Sequence, residues 1–491
     1  GYTCGDLFLQ KILIDSAKDS LIKIAKATEN VDITAVVGLP YVAEQTLYNC
    51  AAVVNGGHIK GLVPKLNIPN YAEFYEVRHF TTGKNEVTYV NINGEEVPFG
   101  ANILFKTDAC EDFVLAVEIC EDLWTAMPPS VNHALAGATI IANISASNEV
   151  IAKDEYREML VKSQSAKLYC GYIYSDAGYG ESTTDLVFAG DNMIAENGTI
   201  LARSKRFNNE CVYTELDLER LVGERKKSNT YNIVGSEKYV SVKLDMNIGD
   251  TKITRYVDKQ PFVPSDDKKR EKRSEEILSI QSLGLKKRLD HTHAKTAVVG
   301  VSGGLDSTLA LLVTVRAFDS LNLDRKNIIA VTMPCFGTTD RTYNNAVNFA
   351  NSLGVTLKEV NIKAAVNQHF ADIEHDPNVY DVTYENSQAR ERTQILMDVA
   401  NKSGGLVIGT GDMSELALGW ATYNGDHMSM YGVNAGVPKT LIRYLVDYEA
   451  KRTNNDILKK TLQDILDTPV SPELLPPKDG KISQKTEHIV G

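Results

Sequence analysis

Short apolar runs alternate with polar segments of helical length along the first 260 residues. The runs ITAVVGLP, FVLAVEIC, TIIANISAS and LYCGYIYS have the length and the branched or aromatic content of β-strands. Helical patterns cover residues 7–28 and 154–168, and doublets such as NGG, NGE and NGT mark turns. The pattern predicts an α/β or α+β domain that is rich in strands.

The segment PFVPSDDKKREKRSEEI interrupts this pattern and predicts a linker, with a domain boundary between residues 261 and 267. Beyond it, the strands TAVVGV, NIIAVTMP, TLKEVNI and GLVIGT alternate with helices expected from Ser307, over 343–353 and over 386–401. Such alternation predicts βαβ units and a Rossmann-like parallel sheet, whose ligands bind at the carboxyl ends of the strands. We therefore expect two domains, residues 1–260 and 265–491.

The overall charge argues against polyanionic partners. The chain of 491 residues carries 52 basic and 64 acidic residues, a net charge of -12, so we expect neither nucleic acid nor a membrane surface as a partner. Seven cysteines without metal-type pairing predict reduced thiols in the cytoplasm. Any anionic ligand must be bound by a local group of residues.

The segment TAVVGVSGGLDSTLALLV contains one loop with several interpretations. Gly300, Ser302 and Gly304 fit the G-x-S-x-G pattern of a nucleophile elbow, in which Ser302 would attack an acyl group. The glycines could instead hold phosphate at a helix N-terminus, with Asp306 binding the Mg²⁺ that accompanies ATP. A Walker A loop would need a lysine that is missing here. The residues alone leave open a phosphate loop, a serine nucleophile and a plain structural turn.

Further motifs resemble one family. VSGGLDS is similar to the pyrophosphate loop of the N-type ATP pyrophosphatases. The segments YENSQARERTQILMDVAN, GGLVIGTGDMSELALGWATYNGDH and NAGVPKT resemble the NAD synthetase branch of that group, over residues 265–491. The resemblance implies that nicotinic acid adenine dinucleotide is joined to AMP from ATP, with Mg²⁺, and that ammonia then displaces AMP to leave an amide.

The resemblance also implies roles for single residues. Ser302, Gly303, Gly304, Asp306, Ser307, Thr410 and Lys439 fall on ATP-contacting positions, Asp306 and Glu415 on magnesium-binding positions, and Arg390, Tyr423 and Asp426 on positions for the dinucleotide substrate. Where ammonia-only synthetases have a lysine and a later aspartate, this sequence has Tyr423 and Met430. Without the resemblance, Arg390 would be a solvated helix residue and Glu415 a carboxylate favoured by a helix dipole.

A second group of residues lies in the first half of the chain. GLVPKLNIPNY places Lys65 after one apolar strand, and VLAVEICEDLW places Cys120 at the end of another. Both segments resemble the nitrilase superfamily, in particular the glutamine amidohydrolase domain fused to NAD synthetases, over residues 1–260. The resemblance implies an αββα sandwich, Cys120 as the nucleophile, Lys65 as the cation that stabilises the oxyanion, and Tyr71 and Ser147 in a glutamine pocket.

The triad of that family also contains a glutamate, which the resemblance places just upstream of the GYT with which this sequence opens. We therefore expect the natural protein to extend upstream, and a helical tail to follow its last residue. Glu118 lies on the strand of Cys120, but a strand neighbour points alongside the thiol, and the resemblance favours a structural or secondary role for it. The family further implies an ammonia tunnel and a homo-oligomer.

Other functions fit parts of the pattern. Another ATP-pyrophosphatase amidotransferase, such as a GMP or asparagine synthetase, would share the loop, although those enzymes use different glutaminase domains. A serine hydrolase would use Ser302 and need no ATP. A non-catalytic nucleotide-binding or assembly subunit would account for the missing glutamate.

Overall fold

A computed structural model of the chain describes residues 2–181, 186–249, 251–468 and 474–475. Contacts between backbone segments divide the chain into one unit of Gly1–Val257 and a second of Asp258–Gly491. None of the helices in these described residues is long and apolar enough to cross a membrane. Each unit has its own hydrophobic cores, so each is described by itself below.

Strands predominate in the first unit. Its elements are α1 (Lys11–Ala27), β1 (Thr34–Ala43), β2 (Thr46–Asn55), β3 (His58–Pro64), β4 (Thr88–Ile92), β5 (Glu95–Phe99), β6 (Ile103–Thr107), β7 (Cys110–Ile119), α2 (Pro129–Leu135), β8 (Ile140–Ser145), α3 (Lys153–Leu168), β9 (Gly171–Asp176), β10 (Met193–Glu196), β11 (Thr199–Arg203), α4 (Leu218–Lys227) and β12 (Val240–Lys243). Short 3₁₀ helices cover Tyr2–Leu9, Glu76–Arg78, Cys120–Trp124 and Ser236–Lys238.

Two sheets pack face to face in this unit, with strand orders β1-β2-β3-β5-β4 and β11-β10-β9-β8-β7-β6-β12. Successive side chains of β2 point to opposite faces of the first sheet and so belong to different layers of the sandwich. Ala51 and Val53 pack into the core between the sheets, whereas Ala52 and Val54 pack with Leu21 of α1 on the outer face. Side chains of α2 and α3 cover the far face of the second sheet. The predicted αββα sandwich is therefore confirmed.

The first predicted helix differs from the structure. Instead of one helix over residues 7–28, a 3₁₀ helix ends at Leu9 and α1 begins at Lys11. Gln10 between them is extended, with φ -88° and ψ 124°, so the hydrogen-bond ladder cannot run through it. The apolar spacing continues across this break, which is why periodicity did not reveal it.

Helices and strands alternate regularly in the second unit. They are α5 (Asp267–Thr292), β13 (Thr296–Gly300), α6 (Leu305–Ser320), β14 (Ile328–Thr332), α7 (Asp340–Leu353), β15 (Thr356–Glu359), α8 (Lys363–Asp372), α9 (Val382–Ser403), β16 (Gly405–Gly409), α10 (Met413–Leu418), β17 (Tyr431–Gly432), α11 (Lys439–Arg452) and α12 (Asp456–Leu466).

The five strands of this unit are parallel, in the order β15-β14-β13-β16-β17. Ala297 and Val299 of β13 face the core formed with α5, α6, α7, α11 and α12, and Val298 faces the core formed with α8 and α9. The predicted parallel sheet with helices on both faces is confirmed. Since all strands run the same way, the loops after β13 and its neighbour β16 leave the sheet at one edge.

Three helices begin earlier than their apolar patterns indicate. α6 starts at Leu305, two residues before the expected Ser307. α7 follows Thr339, whose hydroxyl accepts a hydrogen bond from the Thr342 amide, and α9 follows Asp381, which caps its first turn in the same way. Polar capping residues and polar first turns lie outside the hydrophobic repeat, so the repeat locates such helices too late.

Glu118 is a buried carboxylate that joins three elements of the sandwich. It lies on β7, accepts a hydrogen bond of 2.8 Å from the Ser130 amide at the start of α2, and accepts another from the Tyr172 hydroxyl on β9. Burial raises the pKa of Glu118 from its ordinary 4.5 to about 7, although the bond from Tyr172 opposes the shift. Its proton is thus held more tightly in the folded than in the unfolded chain.

We predict that Glu118 makes folding stability fall as the pH rises. The contribution of its proton is fully present below pH 4.5 and is lost as the pH passes about 7. Glu118→Gln keeps the hydrogen-bonding shape without the charge, so its melting temperature relative to wild type should rise between pH 5 and pH 8. Thermal unfolding checks this, with Glu111→Gln, exposed on the same strand, as the control. A difference that does not change with pH would contradict the prediction.

Candidate active sites

Cys120 lies at a strained turn between β7 and a 3₁₀ helix. Its φ of +47° belongs to the left-handed region that a residue with a side chain rarely adopts. The Cys120 amide donates a hydrogen bond of 3.0 Å to Asn143 Oδ1, and the Ile119 amide donates one of 3.0 Å to Asp122 Oδ2. These bonds stabilise the turn and hold the thiol at the carboxyl end of β7.

Asp122 connects this turn to the segment that carries Lys65. Its Oδ1 accepts hydrogen bonds from the amide and the side chain of Asn67, at 2.9 and 2.8 Å. Asn67 is two residues beyond Lys65, in the loop that follows β3. The two segments that the sequence analysis singled out are therefore joined directly.

Lys65 is buried, with only 2% of it exposed, and its Nζ donates a hydrogen bond of 2.5 Å to Glu76 Oε2. Glu76 is 4% exposed, and its Oε1 accepts a bond of 2.6 Å from Asn49 Nδ2. Burial disfavours the charge on Lys65, but nearby Cys120 and Glu76 outweigh burial and raise its pKa. The structure thus brings Lys65 and Cys120 together and adds Glu76, which was not predicted because its contact with Lys65 forms only after folding.

Burial and the charge of Lys65 act in opposite directions on the pKa of the Cys120 thiol. Burial raises its pKa, and the cation of Lys65 opposes the rise only in part. Attack by Cys120 must therefore be coupled to loss of its proton. Both oxygens of Glu118 already accept hydrogen bonds from other residues, which fits the structural role expected for it.

Charged and aromatic side chains surround Cys120. The hydroxyl of Tyr71 donates a hydrogen bond of 2.8 Å to Glu121 Oε1. The Nζ of Lys153 donates one of 2.7 Å to Asn148 Oδ1 and lies 5.3 Å from the centre of the Trp124 ring. One acid and one base that the sequence analysis did not name thus stand beside the predicted pocket residue Tyr71.

Ser147, the other predicted pocket residue, is buried beyond the carboxyl end of β8. Its amide donates a hydrogen bond of 2.8 Å to Asp176 Oδ1, at the end of the neighbouring strand β9. Burial raises the pKa of Asp176 to about 7, with Arg157 opposing the shift. β7, β8 and β9 are parallel, so Ser147 and Cys120 follow strands that end at one edge of the sheet.

The loop after β13 is bound together by its own side chains. Ser302 Oγ accepts a hydrogen bond of 3.2 Å from the Gly304 amide, and Ser307 Oγ accepts one of 3.3 Å from the Ser302 amide. Gly303 has φ +85°, and a Cβ there would lie 2.2 Å from the Thr342 carbonyl oxygen, so only glycine fits. Within the described chain, the hydrogen bonds of Ser302 involve no histidine, and the loop opens directly onto the N-terminus of α6.

Three carboxylates meet at this edge of the sheet. Ligand oxygens of Asp306, Asp412 and Glu415 lie within 4.8 Å of one another. Lys439 Nζ lies among them, 2.6 Å from Asp306, 2.8 Å from Asp412 and 2.9 Å from Glu415. Burial disfavours the charge on Lys439, but Asp306 and Glu415 outweigh it and raise the pKa of the ammonium. We call these four residues the carboxylate cluster.

The oxygens of the cluster suit a magnesium ion. Asp306 Oδ1 and Asp412 Oδ2 are buried and make no hydrogen bond with any described residue. Mg²⁺ takes carboxylate oxygens as ligands, so Asp306, Asp412 and Glu415 could hold it. Asp306 and Glu415 were predicted from the sequence, whereas Asp412 was not. The segment DMSE could have indicated it, because Asp412 and Glu415 form a capping box at the start of α10.

Asn434 connects the backbone at Asp306 with the backbone at Thr410. Its Nδ2 donates hydrogen bonds to the carbonyls of Asp306, at 2.9 Å, and Thr410, at 3.0 Å. Gln281 of α5 in turn donates a bond of 3.1 Å to Asn434 Oδ1. Asn434 thereby holds the predicted ATP contact Thr410 beside Asp306. Asn434 is the first residue of the NAGVPKT motif and was not assigned a role from the sequence.

The three residues expected to contact the dinucleotide form a separate exposed group. Arg390 Nε donates a hydrogen bond of 3.1 Å to the Tyr423 carbonyl. Asp426 Oδ1 accepts one of 3.0 Å from the Thr422 amide, in the same loop as Tyr423. The structure thus brings these residues together across α9 and the loop after α10.

Two family models match the chain. The carbon-nitrogen hydrolase model matches residues 8–226, and the NAD synthase model matches residues 277–461. The glutamine-dependent NAD(+) synthetase of Mycobacterium tuberculosis strain H37Rv is 42% identical over 509 residues, which cover 100% of this chain and 74% of that protein. That of Aquifex aeolicus is 30% identical over 97% of this chain and 77% of its own length.

A solved structure of a glutamine-dependent NAD+ synthetase from Acinetobacter baumannii, in complex with ADP, is 23% identical with a TM-score of 0.38. It covers 96% of this chain and 77% of that one.

The comparisons decide among the functions that the residues alone left open. The carbon-nitrogen hydrolase match includes Lys65 and Cys120, and the NAD synthase match includes the Ser302 loop and the carboxylate cluster. A serine hydrolase or a different amidotransferase would not share both halves in this order. The chain belongs to the glutamine-dependent NAD(+) synthetases, ligases that use ATP and ammonia taken from glutamine.

Proposed function

We propose that this chain amidates nicotinic acid adenine dinucleotide to NAD, with Cys120 releasing ammonia in one unit and the carboxylate cluster supporting adenylation in the other. One observation carries the proposal. A chain of this family holds the half-buried thiol of Cys120 near the buried pair of Lys65 and Glu76. Separately, it holds a phosphate-type loop beside converging carboxylates.

Glutamine hydrolysis begins with the thiol of Cys120. Sulfur attacks the carboxamide carbon as the thiol loses its proton, and the departing nitrogen takes up that proton as the C–N bond breaks, which leaves a thioester and ammonia. Lys65 stabilises the negative oxygen of the tetrahedral intermediate, and Glu76 keeps that lysine charged and correctly oriented. Water then hydrolyses the thioester to glutamate and frees the thiol.

Opposite charges beside Cys120 match the two ends of free glutamine. Glu121 can pair with the α-ammonium group and Lys153 with the α-carboxylate. We assign Tyr71 and Ser147 to the same glutamine pocket. Pairing with both charges would select the free amino acid over amides that lack them. Burial lowers the pKa of Lys153, so a carboxylate bound beside it would stabilise its charge.

The loop from Ser302 to Ser307 is proposed to hold the pyrophosphate portion of ATP. Its glycines let the backbone approach an anion, and α6 directs the positive end of its dipole at the same place. Lys439 and Thr410 contribute further contacts to ATP. Asp306, Asp412 and Glu415 would hold Mg²⁺, which when bound neutralises charge on the departing pyrophosphate.

A cavity at the same edge of the sheet can take the nucleoside of ATP. It has a volume of about 450 Å³ and lies where β14 and β15 end, lined by Pro334, Cys335, Thr339, Tyr343 and Asn361 among others. Clefts of about 300 Å³ or more at the carboxyl ends of parallel strands are usual ligand sites. The dinucleotide would then approach from the side of Arg390, Tyr423 and Asp426.

The homo-oligomeric state expected from the sequence remains a prediction. It can be checked by light scattering of the purified protein.

We predict that the carboxylates are needed with either nitrogen source. Asp306→Ala or Glu415→Ala should lower pyrophosphate release from ATP and the dinucleotide by more than about a hundredfold, because charge on the leaving group is no longer balanced. Release is measured with glutamine and with ammonium. The control is Asp319→Ala, on the same helix as Asp306, which removes only an exposed ion pair of 2.6 Å between Asp319 and Arg325. Normal turnover in Asp306→Ala would refute the assignment.

We predict that Cys120 is needed only for glutamine. Cys120→Ala should reduce glutamine-dependent NAD synthesis by more than about 10³-fold and leave ammonium-dependent synthesis unchanged, since ammonia bypasses the thioester. Mass spectrometry should detect a glutamyl thioester in the wild type but not in the variant. Cys110→Ala, at the start of the strand β7 that leads to Cys120, should behave as wild type. Equal loss with both nitrogen sources would show that Cys120 is structural.

We predict that Glu121 recognises the α-ammonium group of glutamine. Glu121→Gln should raise the KM for glutamine about 10- to 100-fold, the value of one charge-assisted hydrogen bond, without changing ammonium-dependent synthesis. The exposed acid Glu155, changed to Gln, is the matched control. An unchanged KM would assign recognition of the ammonium group to another residue.

A further inference from the structure

We propose that Asp412 is a third ligand of the metal site and that Lys439 fills this site in the nucleotide-free protein, so that a divalent cation enters only when ATP draws Lys439 away. The inference rests on the proposed function, in which ATP binds beside this cluster. It adds that the metal ion binds together with the nucleotide and does not bind tightly before it.

Asp412 has the properties of a ligand and not only of a helix cap. Its residue is fully buried, and Oδ1 alone accepts the capping hydrogen bonds from the Ser414 and Glu415 amides, at 2.7 and 3.1 Å. Oδ2 lies 2.8 Å from Lys439 Nζ but outside hydrogen-bond geometry, and it has no other partner among the described residues. Because such a buried oxygen is costly to leave unpaired, any movement of Lys439 away from it requires another cation in its place.

Lys439 occupies the place where such a cation would lie. Its ammonium contacts one oxygen of each of the three carboxylates at 2.6 to 2.9 Å, and ligand oxygens of the same three residues lie within 4.8 Å of one another. Magnesium binds oxygens at about 2.0 to 2.1 Å and would therefore take the same central position. The ammonium and the dication repel each other, so they cannot share it.

The position of Lys439 in the fold allows the exchange. It is the first residue of α11, so its backbone is anchored by the helix while its long side chain can turn. The phosphate loop and the N-terminus of α6 lie next to Asp306, so a bound phosphate would offer Lys439 a new anionic partner nearby. Without nucleotide the lysine balances the carboxylates, and with nucleotide it can bind phosphate as the metal replaces it.

The test is binding of Mn²⁺ alone, followed by electron paramagnetic resonance in the absence of nucleotide. A protein whose site is open in only a fraction of molecules binds with its affinity reduced by that fraction. We therefore expect Lys439→Met to bind Mn²⁺ at least about tenfold more tightly than wild type. Adding Asp412→Asn to Lys439→Met should weaken binding at least about tenfold, since one ligand charge is lost.

The matched control is Lys451→Met, on the same helix, where the lysine is 72% exposed and pairs with Asp447 at 2.6 Å. Its Mn²⁺ affinity should equal that of wild type. The proposal is overturned if Lys439→Met binds Mn²⁺ no more tightly than wild type, or if Asp412→Asn makes no difference in the double variant.

A second measurement applies if Lys439→Met fails to fold. Asp412→Asn in the otherwise wild-type protein should weaken Mn²⁺ binding at least about tenfold in the presence of a non-hydrolysable ATP analogue, and unchanged binding overturns the role of Asp412. Lys439→Gln then replaces Lys439→Met in the nucleotide-free titration. These results are independent of turnover: absence of pyrophosphate release by the wild type would refute the proposed function, whereas the Mn²⁺ titrations alone decide the occupancy of the site by Lys439.

Discussion

The parallel pairing of β13 with β16 determines the chemistry of the second unit. Because the two strands run side by side in one direction, the loop that carries Asp306 and the turn that carries Asp412 and Glu415 leave the sheet at neighbouring points. Three carboxylates brought this close repel one another and require a cation. The ammonium of Lys439 supplies it in this state, and Asn434 holds the backbone on both sides.

The first unit uses the same constraint for a different reaction. β7, β8 and β9 are parallel, so Cys120 and Ser147 follow strands that end at one edge of the second sheet. Lys65 comes from the opposite sheet, and its buried pairing with Glu76 keeps a cation where burial would otherwise favour loss of the proton. In both units, therefore, carboxylates keep a lysine charged although burial disfavours that charge, and the lysine faces the reacting group proposed for it.

The sequence predicted the framework well because the framework follows from local patterns. Apolar runs separated by helices led to a parallel sheet, and the layers of the sandwich agree with the resemblance of the first half. Helix starts were less certain, since the polar residues of capped first turns, as at Thr339 and Asp381, do not belong to the hydrophobic repeat.

Residues that contribute through distant contacts were harder to find. Glu76 and Glu121 lie in two 3₁₀ helices and Lys153 begins α3, and their relation to Cys120 exists only after folding. Asp412 and Asn434 lie in the segments GTGDMSE and NAGVPKT, and neither was assigned a role from the sequence. In each case the signal is a charge or amide whose partner is far away in the chain, which no local pattern encodes.

The central step in the proposed chemistry is the replacement of the Lys439 ammonium by a metal ion at the carboxylates of the cluster. Anomalous diffraction from crystals grown with Mn²⁺ and a non-hydrolysable ATP analogue tests it most directly. We predict a manganese peak at ligand distance, about 2.1 Å, from oxygens of Asp306, Asp412 and Glu415, with the ammonium of Lys439 moved onto phosphate. A peak away from Asp412, with Lys439 still among the three carboxylates, would contradict the account.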